Sequence, residues 1–543
     1  MSKLRAAARS GRGLRQGAGE VRKSPRRCRE NVSSHKGMLP PVSAYHLFSH
    51  LAEIEAFRKN LLAWYDKCKR DLPWRKLAAS ESDTNRRAYA VWVSEIMLQQ
   101  TQVAMVIDYY NRWMQKWPTL QALAKASLED VNELWAGLGY YSRGKRLQEA
   151  AQKVVSELAG QMPATAEELQ RLLPGVGRYT AGAIASISYG QATGVVDGNV
   201  IRVLCRVRCI GAESSSPAVT DRLWDLANAL VDPARPGDFN QAMMELGATV
   251  CTPRAPLCME CPVKPHCRAR CRVEKELEFA SKRLLGKAAS SCSQAPDIEE
   301  CATAGSCSLC PPATEPWDSS LGVANFPRRA AKKQPRAERT ATCVLERRGP
   351  RGEPEYLIVQ RPSSGLLAGL WEFPSLALGP GLKEKEKQQR EALLAHVQAW
   401  AGEAVARGRL RHVGEVGHVF SHIHQTYVVY SLLLGGDPEA ASGGRDEELE
   451  RPAFRWVTQA EFQKSAVSTA MKKVWKACER QSCEERGPGQ GCKRKRGTDP
   501  SRAGQQKRGA DPSRAGQRKV EADGSLPPRQ LSLDAFLKAP AGE

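Results

Sequence analysis

Apolar residues recur along this chain in two rhythms. In the first half they fall at helical spacing: Trp92, Ile96, Val103 and Ile107 form one stripe and Ala183, Ile184 and Ile187 another, while residues 200–210 and 238–249 predict further amphipathic helices. Trp64, Trp74, Trp92, Trp113, Trp117 and Trp135 supply that half with bulky core groups. In the second half, residues 341–345, 356–360 and 426–434 are rich in β-branched, aromatic and aliphatic side chains and predict strands, with a helix over 388–400 between them. The pattern therefore predicts an all-α domain over residues 45–271 and an α+β domain over 336–476.

Outside those spans the periodicity stops. Residues 1–44 are basic and poor in large apolar groups, with eleven Lys or Arg against two acids up to residue 38, which predicts disorder. Residues 272–335 are rich in Ser, Ala, Pro and Gly and read as a connector. The tail, 477–543, is polar and repeats Asp499-Pro500-Ser501-Arg502-Ala503-Gly504-Gln505 from Asp511 to Gln517.

Composition then narrows the partners. A net charge of +22 over 543 residues suits a polyanion, and no run of 18 or more apolar residues is available to span a membrane. Seventeen cysteines without a signal-peptide core at the start favour metal ligation over disulfides. The acid-poor, Arg- and Ala-rich opening suits a mitochondrial transit peptide or a basic nuclear arm, and Lys493-Arg494-Lys495-Arg496 suits nuclear import. Nucleus and mitochondrion are both expected compartments.

The most explicit chemistry lies in Leu172–Asn199, LLPGVGRYTAGAIASISYGQATGVVDGN. Pro174, Gly175 and Gly177 interrupt two helices; the glycines are expected at positive φ, baring N–H groups at a helix N-terminus where a DNA phosphate fits. Asp197 stands at an N-cap position. LPGVGRYTAG followed by VVDGN resembles the helix-hairpin-helix and Asp signature of the endonuclease III and MutY superfamily of DNA glycosylases. Lyase members carry a Schiff-base Lys where this chain has Tyr179, so the resemblance is to the monofunctional branch, the adenine DNA glycosylases.

That resemblance assigns further residues. WVSEIMLQQTQV is similar to the helix bearing the catalytic acid and implies Glu95 in that role, its carboxyl kept protonated by apolar surroundings. Tyr179 and Asn199 are implied to orient Asp197 and the sugar. In Gly137-Leu138-Gly139-Tyr140-Tyr141-Ser142-Arg143 the family contacts the duplex: Tyr140 would wedge beside the lesion, Gln100 would fill the vacated space, and Arg143 is placed with them.

Cys251, Cys258, Cys261 and Cys267, spaced C-x6-C-x2-C-x5-C, are more compact than the usual pair of zinc knuckles and resemble the family's [4Fe–4S] loop. Arg254, Lys264, Arg268 and Arg270 in or beside it make a basic surface. Cys301, Cys307 and Cys310 resemble a connector trio of mammalian MutY homologues, which implies a bound zinc with Cys205 as fourth ligand.

In the α+β half, Gly365 to Pro374, GLLAGLWEFP, resembles the Nudix-like domain of MutY. After Arg390-Glu391 the chain has Ala392-Leu393-Leu394-Ala395 instead of the glutamates that hold Mg²⁺ in Nudix hydrolases, so recognition and not hydrolysis is expected. Phe420-Ser421-His422 matches the family loop whose Ser meets 8-oxoguanine. Gln530, Leu533, Phe536 and Leu537 approach the sliding-clamp (PCNA) binding pattern. The resemblance also implies the checkpoint clamp, an AP endonuclease, and mismatch-recognition and single-strand-binding proteins as partners.

The reading that follows is a monofunctional glycosylase removing adenine opposite 8-oxoguanine, or opposite guanine. Two rivals stand beside it: a bifunctional glycosylase acting on oxidised pyrimidines, and a non-enzymatic damage-binding recruiter.

Overall fold

The computed structural model describes residues 43–284, 301, 307–312, 314–315, 317–328, 334–362, 364–379, 386–402, 405, 410–434 and 453–485. The N-terminal basic segment before residue 43, Lys493 to Arg496, the repeat beginning at Asp499, and Gln530, Leu533, Phe536 and Leu537 lie outside the described residues.

Two apolar cores build the helical half. In the first, Trp113 stands edge-on to Trp117 and Trp135, with ring centroids 4.7 and 5.5 Å apart. Its indole N–H donates to the Tyr89 hydroxyl, which in turn donates to the Trp117 carbonyl, so burying these polar atoms leaves neither unpaired. The second core gathers Phe57, Leu61, Val203, Leu204, Phe239 and Leu246. The helices Thr84–Leu98 and Arg178–Tyr189 lean on the first, and Gly198–Val207 and Pro236–Thr249 on the second. The candidate site lies along the seam between them.

The stripe Trp92, Ile96, Val103 and Ile107 is not one helix. Thr84–Leu98 ends, Gln99 to Gln102 turn with Gln100 at φ 53°, and Val103–Lys116 begins. Residues at the same spacing continue on either side of the turn, so periodicity could not show the break. Arg143 explains it: its buried guanidinium donates to the carbonyls of Ile96, Met97 and Gln99, ending the first helix from outside.

The helical half also extends beyond residue 271. Arg268–Leu284 is one helix, laced by Arg270–Glu274 and Arg272–Glu276 pairs at i,i+4. That spacing was readable in the sequence beneath a composition that looked like linker. Described parts of the connector are stitched onto this half: the Leu309 carbonyl accepts from Gly211 and Ala212, and Arg328 bridges to Glu213. Gly211 is needed there, since a Cβ would stand 2.6 Å from Pro311.

The second half is a mixed seven-stranded sheet of β1 (Arg336–Arg348), β2 (Pro354–Gln360), β3 (Trp371–Glu372), β4 (Ser375–Ala377), β5 (Arg411–Val419), β6 (Ile423–Leu433) and β7 (Phe454–Thr458). β1 pairs in parallel with β6 and antiparallel with β2. Alternation along β1 sends Ala341, Cys343 and Leu345 toward Leu393 and Val397 of the helix Glu386–Ala401, and Val344 toward Trp475 on the opposite face. The helix bearing Trp475, Thr469–Glu485, runs past the expected boundary at 476, with Cys478 packed against the core.

Candidate active site

The proline and glycines of Leu173–Arg178 fix a tight hairpin. Gly175 has φ 83°, and a side chain there would meet Arg146 at 3.0 Å. Gly177 differs from expectation: it is the extended N-cap of Arg178–Tyr189, with φ −90°. Gly177 is exposed, and nothing stands within 4 Å of a Cβ built there.

Glu95 from the first core bonds Tyr179, and the charge of Asp197 from the second acts on both. Glu95 comes from Thr84–Leu98 and is 6% exposed. Its Oε2 accepts the Tyr179 hydroxyl at 2.7 Å, leaving Oε1 to carry a proton. Burial raises the Glu95 pKa to about 7, with the Asp197 charge adding to the rise and the Tyr179 hydrogen bond opposing it. Tyr179 itself is pushed well above its ordinary value by burial and the two acids, so it remains a donor.

Asp197 caps Gly198–Val207. Its Oδ1 accepts the backbone N–H groups of Asn199 and Val200 at 2.9 and 2.8 Å, and Oδ2 accepts Asn199 Nδ2 at 2.8 Å. Burial raises its pKa, and these three donors oppose the rise. Asn199 is held in turn by Arg202, which donates to Asn199 Oδ1 at 2.7 Å and to the carbonyls of Gly247 and Cys251. A single arginine thus ties the Asp197 platform to the cysteine loop. Gly247 lets Pro236–Thr249 press on the platform, because a Cβ there would lie 2.6 Å from Asn199 Cβ. Neither Arg202 nor Gly247 had a sequence signature.

One expected role changes hands. Asn199 orients Asp197, but the Tyr179 hydroxyl bonds Glu95 instead, with Met244 Sδ also within 3.0 Å.

The residues expected at the lesion divide. Tyr140 is 46% exposed at φ 48°, and Gln100 is exposed at φ 53°. Both sit in left-handed backbone that non-glycine residues seldom adopt. Arg143 is no surface contact: it is 8% exposed, its Nη2 donates to Thr101 Oγ1 and the Gly139 carbonyl, and its Nε donates to the Tyr140 carbonyl. It pins both loops, so the motif placed it correctly in the chain and wrongly at the surface.

Phe420, Ser421 and His422 form the tip joining β5 to β6, with Ser421 and His422 exposed and Ser421 Oγ 3.1 Å from His422 Nδ1. On the helix Glu386–Ala401, Leu393 is fully buried in the sheet core where a metal-binding acid would be needed.

The cysteines form two dissimilar sets. Cys301, Cys307 and Cys310 converge with His46, their ligand atoms all within 4.8 Å of one another. His46 Nε2 is 3.3 Å from Cys310 Sγ, and Nδ1 is held by the Arg208 carbonyl. Cys205, expected as the fourth ligand, is instead fully buried in the second core. His46 is 255 residues from Cys301 and no local spacing could have revealed it. Cys251, Cys258, Cys261 and Cys267 line a single cavity with Val203, Val207 and Leu246. They surround a space instead of meeting at a point, and Arg206 donates to Cys251 Sγ at 3.3 Å. The His46 set fits a metal centre.

Comparison with known proteins agrees with this geometry. A family described as "HhH-GPD superfamily base excision DNA repair protein" matches residues 93–229, and a "NUDIX domain" matches 344–477. The adenine DNA glycosylase of Homo sapiens is 62% identical over 460 residues, 84% of this chain and 80% of that protein. That of Rattus norvegicus is 60% identical over 462 residues, 85% and 84% of the respective chains. A solved complex between the C-terminal domain of mouse MUTYH and human PCNA is 45% identical, covering 28% of this chain and 94% of that chain, with a TM-score of 0.22.

Proposed function

This chain belongs to the adenine DNA glycosylase family of base excision repair, and we propose that the adenine it excises is the one paired with 8-oxoguanine, or with guanine. The observation that carries the chemistry is the pairing of a buried acid whose pKa lies at about 7 with a second carboxylate held by three N–H donors.

The adenine is flipped from the duplex into the seam, Tyr140 and Gln100 occupying the disturbed stack. Glu95 gives its proton to N7, turning adenine into a neutral leaving group. The C1′–N9 bond breaks with both electrons going to the base, and the sugar becomes an oxocarbenium ion. Asp197 stabilises that cation, electrostatically or through a transient bond, until water adds at C1′ and gives its proton to the Glu95 carboxylate, restoring the acid. The roles need opposite protonation states. The wrapped donors around Asp197 support its anionic form, and burial of Glu95 supports its neutral one. Tyr179 occupies the place of a Schiff-base lysine and has no amine, so strand cleavage is not part of the reaction.

The exposed Ser421 tip reads the opposite base. 8-Oxoguanine differs from guanine by an O8 acceptor and an N7–H donor, both within reach of a hydroxyl. Cys251, Cys258, Cys261 and Cys267 hold a [4Fe–4S] cluster, for which a cavity ringed by four thiols is the fitting container. His46, Cys301, Cys307 and Cys310 would hold zinc, an ion that takes imidazole and thiolate ligands of this kind. Each centre supplies rigidity, one to a basic surface and the other to the docked connector. Clamp binding through Gln530, Leu533, Phe536 and Leu537, and residence in the nucleus with a mitochondrial share, rest on sequence motifs alone.

The test is single-turnover excision on four duplexes with adenine opposite 8-oxoguanine, guanine, cytosine or thymine. The first should be fastest, guanine second. Equal rates on all four would defeat the mispair assignment, and a borohydride-trapped protein–DNA adduct would defeat the monofunctional one.

A further inference from the structure

We infer that Glu129 is a positioning residue for discrimination of the base opposite the adenine, because it sets where the sheet half sits relative to the Tyr140 wedge. The inference rests on the mispair assignment proposed above.

Glu129 lies in the first turn of the helix Leu128–Trp135, whose N-cap Ser127 forms a reciprocal capping box with Asp130. Its Oε1 is the acceptor for two donors from the other half: Trp371 Nε1 at 3.2 Å and Arg455 Nη1 at 3.1 Å. The donors brace one another. The Arg455 guanidinium lies over the Trp371 ring, 4.1 Å from its centroid, and its Nη2 donates to Ser465 Oγ at 3.1 Å. Next to them Gly369, at φ 72°, brings its loop flat against the same helix; a Cβ there would stand 3.4 Å from Asn132 Nδ2 and from Leu128 Cδ2.

Apolar packing at this contact tolerates sliding. A carboxylate oxygen shared by a planar indole and a fixed guanidinium does not, because both donors demand direction. The contact therefore fixes a register as well as an attraction.

Each end of the helix serves a different half of the recognition task. Its N-terminal end holds Trp371 on β3, and β3 joins the sheet through β2, β1 and β6 to the Phe420–His422 tip. Its C-terminal end holds the wedge: Trp135 Nε1 donates to the Gly139 carbonyl at 2.9 Å, directly before Tyr140. Eight residues span about 12 Å. The reader of the opposite base and the side chain that props open the duplex are thus mounted on one short rod, with Glu129 as the fastening. None of these contacts touches Glu95 or Asp197, so loosening Glu129 should change which duplexes are chosen and leave the bond-breaking step intact.

The experiment compares single-turnover excision from duplexes with adenine opposite 8-oxoguanine and opposite guanine, for the wild type, Glu129→Ala and Glu129→Gln. Glu129 is 41% exposed, so neither variant should unfold the chain, and thermal unfolding checks this. Glu129→Ala should lower the ratio of the two rates by about fivefold, through the 8-oxoguanine duplex, with the guanine duplex within about twofold of wild type. Glu129→Gln keeps an acceptor for Trp371 but loses the charge facing Arg455, and should fall between. An unchanged ratio in Glu129→Ala, or equal losses on both duplexes, would overturn the inference while leaving the mispair assignment standing. A wild type that does not prefer 8-oxoguanine would remove both.

Discussion

Glu95 should reveal itself in the pH dependence of excision, and Tyr179→Phe should move that dependence in a direction fixed by the geometry. With a pKa at about 7 in the wild type, the acid is about nine-tenths protonated at pH 6 and about one-tenth at pH 8. Excision should therefore fall as pH rises through neutrality, close to tenfold per unit on the alkaline side. The Tyr179 hydroxyl donates to Glu95 Oε2 at 2.7 Å, and a donor stabilises the carboxylate over the acid, so this bond holds the pKa below where burial alone would set it. Removing the hydroxyl leaves burial opposed only by the Arg75 charge, the smaller of the two lowering influences. A hydrogen bond to a charged group is worth about 1.5–3 kcal/mol, or about one to two pH units, and water entering the gap would reduce this. The alkaline limb of Tyr179→Phe should accordingly move up by about one unit, whatever happens to the plateau. The assay is single-turnover excision between pH 6 and 9 at constant ionic strength. A limb at or below its wild-type position would refute the reasoning, since it would mean that the acid is not the group bonded to Tyr179.

Three further outcomes follow from the same contacts. Arg143→Ala removes the donor to six oxygens, two of them fully buried, and should destabilise the protein by about 3–5 kcal/mol in denaturant unfolding, with the Tyr140 and Gln100 loops released together. Gly247→Ala forces a methyl group into Asn199 Cβ at 2.6 Å; by displacing the Asp197 platform it should slow excision by about tenfold or more while duplex affinity in a binding titration stays near wild type. His46→Ala should lower bound zinc per chain after gel filtration, whereas Cys205→Ser should leave metal content unchanged, which separates the ligand set found in the structure from the one the sequence suggested.

What the sequence disclosed was local. The hairpin glycines, the N-cap Asp197 and the cysteine spacings are short-range patterns, and periodicity exposed the helices of one half and the strands of the other. Contacts that close across the chain were invisible. His46 meets Cys301 from 255 positions away, Glu129 meets Trp371 from 242, and Arg143 ends a helix 45 residues upstream by reaching its carbonyls. The misread features share that cause. A stripe looked continuous because the turn at Gln100 is imposed from elsewhere, Arg143 was placed among the duplex contacts because the carbonyls it bonds lie far upstream in the chain, and Tyr179 was assigned to Asp197 although its hydroxyl bonds Glu95.

The left-handed backbone at Gln100 and Tyr140, pinned from beneath by one guanidinium, has a kinetic consequence. Side chains already arrayed in the shape they need lose little freedom when they enter a helix stack, so testing each base pair demands no folding event. A searcher of this design can sample many sites per encounter, and its dwell time will be governed by how easily the pair under inspection comes apart.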